Sequence, residues 1–162
     1  MMNYETIRTI LDAASELEIL MADIYTIFAE SLPADRKFWE QMAHEEKNHA
    51  ALIRSVESSQ DMSAEFLASF PRDILEENIK TREWATDVYI RFSRNRPDRK
   101  TAFKAAVEIE TSAGEVHYQN IMSKNVDSWF IRVFQELNEF DRDHLKRVNS
   151  YAREHKILGR QG

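Results

Sequence analysis

Four carboxylates and three histidines stand where helical apolar stripes should carry leucines. In a first long segment Ile7, Leu11, Ala14, Met21 and Phe28 recur at three- and four-residue steps, and the same stripe passes through Glu18 and Tyr25. In a second, Phe38, Met42, Ile53 and Val56 share their stripe with Glu46 and His49. A third carries Phe103, Ala106, Ala113 and Ile121 together with Glu110 and His117, and a fourth carries Phe130, Phe134, Leu137 and Val148 with Asp141 and His144. Glu46 and His49, like Asp141 and His144, are spaced i,i+3, so each pair projects from one helix face about one turn apart, a chelating geometry. Burying an unpaired carboxylate costs on the order of several kcal/mol. The seams offer few Lys or Arg to neutralise four acids, whereas two divalent cations would balance them.

The chain also repeats itself. Ala-Ala-Ser-Glu-Leu-Glu at 13–18 aligns with Ala-Ala-Val-Glu-Ile-Glu at 105–110, which pairs Glu18 with Glu110 and Tyr25 with His117. A second register, offset by 95, pairs Trp39 with Phe134, Met42 with Leu137, Glu46 with Asp141 and His49 with His144. The repeat selects Glu46 over Glu45, whose counterpart is Phe140, and the seam selects Glu110 over Glu108 and Glu115. The metal ligands are therefore expected to be Glu18, Glu46, His49, Glu110, Asp141 and His144. Oxygen-rich ligation with some nitrogen suits iron or manganese, and zinc can occupy such a site because the affinity order favours it. Tyr25 and His117 lie one heptad beyond the seam acids and are the candidate catalytic side chains, placed to donate hydrogen bonds to bound oxygen species or to order ligand carboxylates; core filling is the plain alternative. His44 and His155 have no partner on a seam and read as surface residues. Trp39, Trp84 and Trp129 read as packing. Gly114, one turn beyond Glu110, either leaves room for a small oxidant or serves packing.

Prolines at 33, 71 and 97 punctuate the elements that must position these groups. The periodicity predicts helices from about Tyr4 to Ser31, from a Leu32–Asp35 turn to about Ser58 with Asp35 as N-cap, from Pro97 to about Lys124, and from Asp127 to about His155. The fold class expected is all-α, a single domain over 1–162 in which one helical hairpin (about 4–58) is followed by a crossover (about 59–96) and a second hairpin (about 97–157). The crossover contains Phe66, Phe70, Ile74, Leu75, Trp84, Val88, Tyr89 and Phe92, too apolar for a free linker, and is expected to hold a short and a longer helix.

Composition narrows the function. The 162 residues include no cysteine, which excludes disulfides, thiolate-ligated metals and thiol catalysis. A net charge of −6 gives no electrostatic footprint for duplex nucleic acid or an anionic membrane, so neither is expected as a partner. With no apolar run longer than four residues, the chain is expected to be cytoplasmic.

Glu18 with Tyr25 seven later, Glu46-Lys-Asn-His49, Glu110 and Asp141-Arg-Asp-His144 together resemble the ferritin-like di-iron carboxylate proteins, in particular the rubrerythrins, over roughly 120 residues in both hairpins. The resemblance implies a ferritin-like antiparallel four-helix bundle, two iron ions per chain, hydrogen peroxide or dioxygen as the small-molecule oxidant, and a homodimer. Asp141 stands where the family has Glu. Position 113, where rubrerythrins place a further carboxylate, is Ala113, and these 162 residues hold no cysteine for the family's cysteine-ligated electron-entry site, so electrons are expected to come from an external donor protein. Two rival expectations are a ferritin-like ferroxidase or iron-storage shell, and a metal-free helical interaction or sensor domain.

Overall fold

The computed structural model describes residues 4–58, 74–117 and 129–158. Within these helices several side chains lie outside the described residues, among them Asp141, His117, Ala113, Gly114, Phe130 and Phe134; Phe66, Phe70 and Ile121 lie outside them altogether. The described chain is all helix: α1 (Tyr4–Ser31), a 3-10 turn (Pro33–Asp35), α2 (Arg36–Ser58), α3 (Ile74–Arg94), α4 (Arg99–His117) and α5 (Trp129–Glu154). α1, at 28 residues, is about 42 Å long at 1.5 Å per residue. No helix among the described residues is long and apolar enough to cross a membrane.

Side-chain contacts fix the helix directions. Along the α1–α2 pair, Tyr25 stacks on Trp39 and Glu18 faces His49, so one number rises as the other falls and the pair is antiparallel. Phe103 against Tyr151 and Glu110 against His144 make α4 and α5 antiparallel in the same way. Phe38 against Tyr151 and Glu45 against His144 set α2 antiparallel to α5. α1, α2, α5 and α4 are thus successive neighbours around one core. α3 is the longer helix expected in the crossover. It runs parallel to α1, held by the Glu16–Arg82 ion pair and by Phe92 packed edge-on against Phe28, with Arg96 just beyond its end paired to Glu30, and so returns the chain to the end at which α4 starts.

The apolar stripes are buried as their spacing predicts: Ile7, Leu11, Ala14, Met21 and Phe28 on α1, Met42, Ile53 and Val56 on α2, Phe103 and Ala106 on α4, Leu137 and Val148 on α5. Trp39 is at the centre of an aromatic cluster with Tyr25, Phe28, Phe38 and Phe103, which fills the end of the core nearest the α1–α2 turn.

Local signals set two helix ends. Asp98 caps α4 by accepting the Thr101 backbone N–H at 2.7 Å. α5 ends in a Schellman arrangement, with the Ile157 N–H on the Ala152 carbonyl and the Lys156 N–H on that of Arg153, and Lys156 takes a left-handed φ of 55° where glycine is usual. Asp35 precedes α2 as expected but serves differently from a cap. Its buried carboxylate receives Arg99 Nε and Nη2, each at 2.7 Å, and the Tyr151 hydroxyl at 3.0 Å, and so ties the α1–α2 turn to α4 and α5.

Candidate metal centre

Midway along the core the polar interruptions of four stripes meet. Glu18 from α1, Glu46 and His49 from α2, Glu110 from α4 and His144 from α5 are all buried, and Glu46 is fully so. Each sits among apolar neighbours of its own stripe, so the burial that drives the bundle together also drives these groups into one place.

Glu46 is the hub. Its Oε2 lies 2.9 Å from His49 Nδ1 and its Oε1 lies 2.9 Å from His144 Nδ1. His49 Nδ1 is also 3.6 Å from Glu18 Oε2, and His144 Nδ1 is 3.7 Å from Glu110 Oε1. The cluster therefore divides into two similar halves, Glu18 with His49 and Glu110 with His144, each facing one oxygen of the same carboxylate. Glu46, His49 and His144 present ligand atoms all within 4.8 Å of one another. The imidazoles lie nearly parallel, 5.1 Å apart.

Electrostatics follow from this packing. Burial disfavours the charged form of His49, but hydrogen bonding to Glu18 and Glu46 and their charges outweigh it and hold its pKa up at about 10. Burial likewise opposes ionisation of Glu46, yet hydrogen bonds from His144 and His49 bring its pKa down to about 2. Tyr25 donates its hydroxyl to Glu110 Oε1. Burial, and then the charge of Glu110, push the phenol well above its ordinary pKa, so it keeps its proton.

Of the eight residues singled out in the sequence, the structure brings six together: Glu18, Tyr25, Glu46, His49, Glu110 and His144. The side chains of Asp141 and His117 lie outside the described residues. His44 and His155 are exposed, in keeping with surface roles. Glu45, set aside in the sequence because its repeat partner is Phe140, reaches the cluster after all. Its Oε2 is 2.8 Å from His144 Nε2, on the far side of that ring from Glu46. Arg147 grips the same carboxylate through Nη1 and Nη2 and pairs with Asp143 through Nε at 2.7 Å. The spacing of His144 and Arg147, i,i+3 on α5, is the signal that could have pointed to a partner acid there.

Glu46, His49 and His144 form a buried group that could hold a metal ion, with Glu18 and Glu110 beside it. Three buried carboxylates and two imidazoles offer oxygen-rich ligation with one nitrogen per half, and a single carboxylate faces both halves. Comparison with family models, with curated proteins and with solved structures finds no match to this chain.

Proposed function

We propose that the protein is a rubrerythrin-like di-iron oxidoreductase of the ferritin-like class, which reduces peroxide or dioxygen with electrons from an external donor protein. One observation carries the reading: Glu46, fully buried, directs one oxygen to each of two histidines, and each histidine faces a further buried glutamate. Glu18, His49 and one Glu46 oxygen would hold one metal ion; Glu110, His144 and the other Glu46 oxygen would hold the second, with Asp141 as the remaining ligand. Iron in such a site supplies, when bound, the electrons that cleave an oxygen–oxygen bond to give water.

The chain's own residues orient and exclude. Tyr25 holds its proton at Oη and donates it as a hydrogen bond to Glu110, which fixes the direction of that carboxylate. Glu18, Glu46 and Glu110 are each at most 2% exposed, so the packed core keeps bulk water from the carboxylates.

A metal-free reading draws on the same contacts, since histidines at 2.9 Å from a carboxylate can satisfy it as imidazolium ions. Charge weighs against it. With both imidazoles protonated, Glu18, Glu46, Glu110 and the proposed ligand Asp141 leave an excess of two negative charges, whereas two divalent cations balance all four. The test is to add ferrous iron anaerobically and mix the product rapidly with peroxide or dioxygen while following the ferric absorbance. Oxidation within seconds, faster with peroxide, is expected. Preference for dioxygen would move the reading to a ferroxidase, and a spectrum indistinguishable from free iron would sink it.

A further inference from the structure

The two halves of the centre are matched in their inner residues but not in what stands behind the histidines. In the repeat offset by 95, Glu45 corresponds to Phe140 and Arg147 to Leu52. Glu45 lies at His144 Nε2, and its carboxylate is itself held by Arg147 and by Gln41, whose Nε2 donates at 2.9 Å. Phe140, which holds the corresponding position in the repeat, instead lies face to face with the His49 imidazole, at 5.2 Å and 17°. No described carboxylate takes His49 Nε2.

We propose that this difference makes the two metal positions unequal, with Glu45 as the positioning residue that lets the His144 half capture the first divalent cation. The inference rests on the metal-centre reading above and goes beyond it. When Nδ1 of His144 binds a cation, Nε2 must carry the ring hydrogen, and Glu45 accepts it at the distance already present. That hydrogen bond fixes the tautomer and the ring angle and makes Nδ1 a stronger donor. Because Arg147 and Gln41 hold the carboxylate in advance, and Asp143 in turn pairs with Arg147, little ordering remains to be done on binding. The phenyl ring of Phe140 restrains the His49 ring sterically but accepts no hydrogen from it. Loss of a carboxylate behind a metal-bound histidine typically weakens metal affinity ~10- to 100-fold, which sets the contribution expected of Glu45 to the gap between the halves.

The experiment titrates metal-free, full-length protein with zinc alone and follows the imidazole nitrogens of His49 and His144 by NMR. In the wild type, the His144 signals should move during the first equivalent and those of His49 during the second. Glu45→Gln should weaken the first step about tenfold and bring the responses of the two rings closer together. Phe140→Glu, at an exposed position, should supply the missing acceptor and strengthen the His49 half. The proposal is overturned if His49 fills first, if both rings respond together in the wild type, if Glu45→Gln leaves the first step unweakened, or if Phe140→Glu leaves the His49 half unchanged. A different result, in which neither ring responds to zinc in any variant, removes the metal-centre reading and this proposal with it.

Discussion

Loading the centre near neutral pH should expel a proton from His49. In the metal-free protein Glu18 at 3.6 Å and Glu46 at 2.9 Å hold that imidazole charged, with a pKa of about 10. A cation can occupy Nδ1 only after the proton leaves. At pH 7 the gap is about three pH units, which at ~1.36 kcal/mol per unit is about 4 kcal/mol of binding energy spent on deprotonation. Affinity at the His49 half should therefore climb about tenfold for each pH unit between 7 and 9. Calorimetric titration with chelator-buffered cobalt, repeated in buffers of different ionisation enthalpy, reads the proton directly. The measured heat should vary with the buffer, with a slope of about one proton released at this half. Buffer-independent heat together with flat affinity from pH 7 to 9 would show that His49 is neutral before binding, and would refute the electrostatic reasoning for the cluster.

The same two groups set a stability profile for the metal-free protein. His49, raised from 6.5 to about 10, contributes fully below pH 6.5 and loses its contribution as pH rises through 10; Glu46, lowered from 4.5 to about 2, contributes above pH 4.5 and loses it as pH falls through 2. Urea midpoints measured with chelator should peak between pH 4.5 and 6.5, and a midpoint that climbs steadily on acidification would instead mean carboxylates relieved of mutual repulsion. Tyr25→Phe removes a buried donor from Glu110 and should cost about 1–3 kcal/mol in chemical denaturation; an unchanged midpoint would mean that the hydroxyl bears no weight. Lys156→Gly relieves a side chain held at φ 55° and should stabilise by about 0.5–1 kcal/mol, visible as a raised midpoint with unchanged slope.

Much of this architecture is legible in the chain because helical periodicity and burial coincide. α1 and α2 have the expected extents, and Glu18, Glu46, His49, Glu110 and His144 could be picked out because each interrupts an apolar stripe that has to be buried. The longer crossover helix was legible for the same reason, from Trp84, Val88 and Phe92. The misses are residues whose partners are remote in sequence. Glu45 sits one position off the α2 seam, and only the approach of α5 gives it His144 and Arg147. Asp35 has the residue type and place of a helix cap, but Arg99 and Tyr151, brought up by α4 and α5, claim its carboxylate. Local spacing encodes which face a side chain takes; it does not encode which neighbour arrives there.

The central claim is that Glu46 serves two metal ions at once. Iron bound per chain after anaerobic reconstitution and gel filtration tests it most directly, in the wild type and in Glu46→Ala and Glu18→Ala. The account predicts about two irons in the wild type, near-complete loss when Glu46 is removed, and retention of about one when Glu18 is removed, since only the His49 half then loses a ligand. No stoichiometric iron in the wild type, or an iron content unchanged by Glu46→Ala, would contradict it.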